Sequence, residues 1–276
     1  MNSLAVAAWA WRGVGSVVFR YALWFPFLLL AAVQAVILGT LVTFYHPVLL
    51  PLALPLVGFL GGEGATHYPY LYYALTTMFD RVNLVVDVLL SSIAGGAATL
   101  LFAKAYGSSS EEPSAWKRAL RCAPTLICAT VLALVLVVGV AMLAQFVPRE
   151  LMAKSRAVRW TIRGSLLVFY VVVQSFLAYT TAWIVLMGHR LWPAIRDSVR
   201  VTVRTLLPTL IVVGVPALIV FPFSYASSRT DLIAGKLRPE MVANILMLQV
   251  VLQALVTFAL VGAVTRLFLW RVEADR

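Results

Sequence analysis

WPAIRDSVRVTVRTLLPTLI, residues 192–211, runs a basic amphipathic segment straight into the start of a long apolar one. Arg196, Arg200 and Arg204 recur at four-residue steps, which on a helix makes one cationic face. Such a helix is expected to lie along a membrane surface among headgroup phosphates. A shorter twin, WKRALRCAPTLI, occupies residues 116–127, with Lys117, Arg118 and Arg121 as its cations. Both stretches carry a Trp, a basic run and the tetrapeptide Pro-Thr-Leu-Ile, at residues 124–127 and 208–211. A looser copy runs from Trp11 through Arg12 and Arg20 to Pro26. The expected fold is an all-α, polytopic membrane helix bundle with six transmembrane helices. They are arranged as three hairpin repeats with interfacial amphipathic helices, over roughly residues 1–106, 107–189 and 190–276 of one integral membrane domain, 1–276.

Composition agrees with that class. The hydrophobic fraction is 62%, charged residues make up 12% and the mean hydropathy is +0.94, far beyond what a soluble domain of this length needs. The net charge of +11 would suggest nucleic acid in a soluble protein, but here the 22 Lys and Arg sit mostly between apolar runs. Anionic lipid is therefore the expected partner and nucleic acid is not. Cys122 and Cys128 would point to different faces of a helix and cannot bridge each other. No Asn-x-Ser/Thr acceptor occurs, which suits a bacterial membrane, and the first apolar span is expected to be retained.

Residues 3–21 suit an interfacial helix anchored by Trp9 and Trp11. The first span, residues 23–45, is followed by an apolar stretch broken by Pro47, Pro51 and Pro55, expected to be re-entrant or interfacial. Tyr68, Tyr70, Tyr72 and Tyr73 read as an interfacial belt. The second span, residues 82–105, places Asp80, Asn83, Asp87, Ser91 and Gly95 on one helical stripe. A carboxylate at the depth of Asp87 is costly and should face protein, water or a basic partner. Residues 107–114 form a solvated loop, and the third span, residues 124–147, is featureless apart from Gln145. Arg149, Lys154, Arg156, Arg159 and Arg163 follow, the last three sharing a face. The fourth span, residues 165–187, carries Tyr170, Gln174 and Thr181 on one stripe, and His189 and Arg190 close it. Pro208, Pro216 and Pro222 should kink the fifth span, residues 206–225. The sixth, residues 241–270, bears Gln249, Gln253 and Thr257 on one face. With both termini on one side, 13 of the 22 basic residues fall on that side, which makes it the cytoplasmic one.

Catalytic signals are sparse. His46, His67 and His189 are too few for paired haem ligands, and no metal or other cofactor is expected. There is no phosphate-cradling glycine loop, no His-Glu-x-x-His and no Gly-x-Ser-x-Gly. Glu63, in the Gly61–Gly64 turn, has no second carboxylate nearby. An enzyme is not expected.

The Trp and Arg ahead of Pro-Thr-Leu-Ile, repeated before apolar hairpins, resemble the multi-pass membrane domain that accompanies some bacterial glycerophosphodiester phosphodiesterases and related six-span families. The likeness covers most of the chain in layout, through degenerate motifs, and the catalytic domain of those enzymes has no counterpart here. It implies a lipid-embedded helper and carries over no functional residue. Two functions follow. One is a non-catalytic scaffold or accessory subunit of a membrane complex, with a partner membrane protein or a second copy of itself. Its lipid-headgroup contacts would be Arg196, Arg200, Arg204, Lys117, Arg118, Arg121, Arg156, Arg159 and Arg163. The other is a transporter whose path is lined by Asp80, Asn83, Asp87, Ser91, Gln174, Gln249 and Gln253. The first is favoured, because three hairpins differ from the usual two-fold duplication of transporters and one buried acid leaves little room for ion coupling. The expected location is the plasma membrane, specifically a bacterial inner membrane.

Overall fold

A computed structural model describes residues 2–108, 114–143, 156–227, 229, 233, 236 and 238–274, and among these the regular structure is entirely helical. The elements are α1 (Ser3–Val17), α2 (Tyr21–Val42), α3 (Leu50–Gly61) and a long α4 (Tyr70–Ala105). There follow α5 (Ala115–Arg121), α6 (Ala123–Leu143), α7 (Arg156–Leu177) and α8 (Thr180–Met187). The last three are α9 (Leu191–Arg204), α10 (Leu206–Ser227) and α11 (Met241–Ala274). Gln145, Arg149 and Lys154, the middle of the 107–114 loop and the side chains of Arg156, Arg159 and Arg163 lie outside the described residues.

Five helical stretches are long and apolar enough to cross a membrane: Tyr21–Val42, Tyr70–Ala105, Trp160–Met187, Leu206–Ser227 and Met241–Ala274. A sixth candidate is the pair Ala115–Arg121 and Ala123–Gly139, bent by 69°. The exposed sides of these helices are apolar, with Val135 and Leu218 each 60% exposed, as a lipid-facing surface requires.

Proline placement explains the breaks. Pro124 and Pro208 lack the amide hydrogen that would bond to the carbonyl four residues earlier, so neither can continue a preceding helix undisturbed. Each instead falls in the first turn of a new helix, where that hydrogen is not needed. Both Pro-Thr-Leu-Ile copies therefore open a long apolar helix just after a break, at Cys122 and Thr205. At the start of α5, the Ser114 hydroxyl accepts the Lys117 amide at 3.4 Å. Gly188, at φ 70°, takes the left-handed cap that ends α8.

The second span differs from its expected limits. It begins at Tyr70, not Val82, because Leu71, Leu75, Met78 and Phe79 form a buried face at helical spacing. Tyr72 joins that face, whereas Tyr68, Tyr70 and Tyr73 stay exposed as a belt would. Within α4, Asp87–Ser91 forms a π-helical turn. The fifth span remains one helix through Pro216 and Pro222.

The chain divides into two compact units. Unit 1 comprises Met1–Leu23, Ser92–Ala217 and Ala259–Arg276; unit 2 comprises Trp24–Ser91 and Leu218–Phe258. These boundaries fall inside helices α2, α4, α10 and α11, away from the repeat limits read in the sequence. In unit 2, Leu38 and Leu41 of α2, Val57 of α3, Leu75 and Met78 of α4 and Leu246 of α11 pack into one core. The proline-rich α3 is seated there: Gly61 leaves no room for a β-carbon beside Met78, and Arg81 donates to the Leu60 carbonyl at 2.6 Å. Leu100, Leu126, Ile184, Val185 and Ala194 form a core cluster in unit 1. Close approach at small residues is what holds helices together where lipid is as apolar as the side chains. A β-carbon at Gly96 would lie 2.8 Å from Leu126 and 3.3 Å from Val185.

Candidate functional site

In unit 2, three polar side chains form a directed chain at the start of the π turn. Gln34 of α2, 4% exposed, donates its Nε2 to Asn83 Oδ1 at 2.7 Å. Asn83 then donates Nδ2 to Asp87 Oδ2 at 3.2 Å. Every donor in the chain points toward the carboxylate. The sequence stripe thus has a real core of Asn83 and Asp87. Asp80, a turn before Asn83, is exposed, and the π turn rotates Gly95 away from the alignment a continuous α-helix would give. Gln249 is half-buried with its Oε1 lacking a hydrogen-bond partner among the described residues, and Gln253 is exposed. Gln34 is a polar partner that sequence reading missed; it is a lone amide in an apolar run, and only its burial reveals its role.

In unit 1, the interruption between α7 and α8 strands backbone groups that lipid could not satisfy. Helix α9 satisfies them. The Ser198 hydroxyl donates to the Phe176 carbonyl at 2.7 Å and accepts the Tyr179 amide at 3.2 Å. One turn along, Thr202 donates to the Ser175 carbonyl at 2.9 Å. The Tyr179 hydroxyl meets Thr209 Oγ1 at 2.7 Å, which meets Thr205 Oγ1 at 3.1 Å. Ser198, Thr202, Thr205 and Thr209 recur at three- and four-residue steps, a signal present in the sequence beside the arginines.

These bonds fix which side of α9 faces outward. Ala194, Ser198, Val201 and Thr202 are buried, whereas Arg196, Arg200 and Arg204 are exposed. At the entry to α9, His189 stacks on Trp183 at 4.9 Å, and its Nδ1 lies 3.3 Å from Asp197 Oδ2, within ion-pair range but not aligned as a hydrogen bond. Asp197 also faces Arg200 at 3.8 Å. On α5, Lys117 and Arg121 are exposed, but Arg118 is half-buried and donates to the Leu186 carbonyl at 3.0 Å. Arg118 thus caps the end of α8.

Gln174 and Thr181 line a unit 1 cavity of about 140 Å³ with Gly95, Thr99, Ala178 and Thr265, and Tyr170 is not part of that lining. Thr99 and Thr265 donate to carbonyls of their own helices, at 2.8 and 2.7 Å, so toward the cavity they can only accept. No charged side chain lines it. Gln174 lies in unit 1, whereas Asn83, Asp87, Gln249 and Gln253 lie in unit 2.

No family model, curated protein or solved structure matches this chain.

Proposed function

We propose that this protein is a non-catalytic, multi-pass scaffold or accessory subunit of a membrane complex that engages anionic lipid headgroups through its basic interfacial helices. The observation that carries this reading is the seating of α9. Hydroxyls on one side bond it to the α7 backbone, and three arginines project from the other. A helix so fixed presents its charge at constant depth, where each cation near an anionic surface contributes about 1 kcal/mol. The polar chain of Gln34, Asn83 and Asp87 acts as helix-to-helix attachment, since each link is directed at its neighbour. In this reading the six spans form three hairpin repeats in a bacterial inner membrane, with both termini cytoplasmic.

The second reading, transport, draws on the Asp87 carboxylate beside a π turn and on the unit 1 cavity. Native mass spectrometry of protein gently extracted from its own membrane separates the two. A stoichiometric protein partner with retained lipid is the expected result. A lone chain or homo-oligomer carrying a solute would replace the scaffold reading with transport.

A further inference from the structure

Among the described residues, Arg20 ends on the carbonyl of Ala105, Arg81 on that of Leu60 and Arg118 on that of Leu186. Arg266 does not. It lies about two turns before the end of α11, half-buried. Among the described residues its guanidinium meets no carboxylate and makes no hydrogen bond.

What holds it is aromatic. Cζ of Arg266 lies 4.0 Å from the centre of the Trp9 ring and 5.6 Å from that of Tyr106. Both rings are themselves fixed: Trp9 packs on Trp270 at 6.5 Å, and the Tyr106 hydroxyl donates to the Gly262 carbonyl at 3.2 Å. The guanidinium also lies against the α1 backbone at Gly13, where a β-carbon would overlap Nη1, Cδ and Cζ. Within unit 1, the start of the chain, the end of α4 and the end of α11 therefore shape a slot for one planar cation.

A guanidinium lying over a ring has that face covered, and its hydrogen-bond donors lie in its edge. Nη1 of that edge packs against Gly13, and among the described residues none of the Arg266 nitrogens is enclosed without a partner. A carboxylate or phosphate with two oxygens matches the edge geometrically. Among the described residues, the charged side chains that flank Gly13 and Tyr106 in sequence are cationic. Arg12 neighbours Gly13 and is exposed, while Lys104 and Arg20 flank the Ala105 contact beside Tyr106. The nearest acid along α11, Glu273, is two turns further on and exposed. Two Trp and a Tyr around the slot are the residues that settle at headgroup depth, which favours a phosphate carried by a lipid over a free one.

We propose that Arg266, held in the slot formed by Trp9, Gly13 and Tyr106, binds the headgroup phosphate of an anionic phospholipid. The site stands apart from the arginine face of α9 and does not depend on it.

The test uses the full chain in neutral detergent, titrated with phosphatidylglycerol and, in a separate arm, with inorganic phosphate, the bound species being counted by native mass spectrometry. Arg266→Gln should weaken its tightest lipid about tenfold or more, and Arg266→Lys should recover only part of that. The triple variant of Arg196, Arg200 and Arg204 should keep this lipid. Unchanged lipid affinity in Arg266→Gln would overturn the site. Displacement of the lipid by millimolar inorganic phosphate would overturn the lipid assignment in favour of a free phosphate. Should the variants not fold, phosphatidylglycerol with a photoreactive headgroup decides the matter on the unaltered protein. Labelling should fall on peptides containing Arg12 or Tyr106, and labelling confined to α5 and α9 would refute the proposal.

Discussion

The Ser198 hydroxyl donates to the carbonyl of Phe176 across 2.7 Å, joining a surface helix to the interruption in its neighbour. Replacing Ser198 by Ala should leave that carbonyl and the Tyr179 amide without partners in a buried setting. The expected loss is about 1–3 kcal/mol. Reversible unfolding in mixed micelles measures it, and a Ser198→Ala protein as stable as the unaltered one would mean that other groups satisfy this backbone.

Adjacent glycines in α4 should respond in opposite ways. Gly96 has Leu126 and Val185 within 3.3 Å of an added β-carbon, so Gly96→Ala should destabilise by about 1–3 kcal/mol through overpacking. Gly95 faces open space in the cavity, and Gly95→Ala should gain up to about 1 kcal/mol from helix propensity. Parallel melts of the two variants check the pair; equal losses would contradict the packing described.

Asn83 occupies the middle of the polar chain, so Asn83→Leu removes two hydrogen bonds while Asp87→Asn keeps the shape of one. If the chain is an attachment, Asn83→Leu should cost about 1–2 kcal/mol and Asp87→Asn about half a kcal/mol. Loss of a proton-coupled solute flux in Asp87→Asn vesicles, with assembly intact, would decide for transport.

Replacing Arg196, Arg200 and Arg204 together by Gln should lower the preference of the protein for anionic over zwitterionic lipid by on the order of 3 kcal/mol. Spin-labelled lipid in reconstituted vesicles reads that preference directly. Because the other side of α9 is bonded through Ser198 and Thr202, the melting temperature should hardly move.

Residues 192–211 were legible because their signals are local. Arginine spacing gave the exposed face of α9, whereas Pro208, read as a kink within the fifth span, falls in the first turn of α10. The start of α4 was harder: tyrosines around Pro69 obscured the helical spacing of Leu71, Leu75 and Met78. Neither the π turn at Asp87 nor the interruption at Ala178–Tyr179 has a glycine or proline to announce it. The latter is sustained by hydroxyls from α9, a separate helix, and no window of sequence around Tyr179 contains them. Gln34 was missed for the same reason, since its partner Asn83 belongs to another helix.

Helix α11 belongs to both units, unit 2 up to Phe258 and unit 1 from Ala259 onward. Neither unit can therefore be completed before α11 has been synthesised. Helix α1 is made well ahead of α11, so Trp9 and Gly13 must wait for Arg266 before their contacts can form. A stop codon anywhere ahead of Met241 would leave both units unfinished at once.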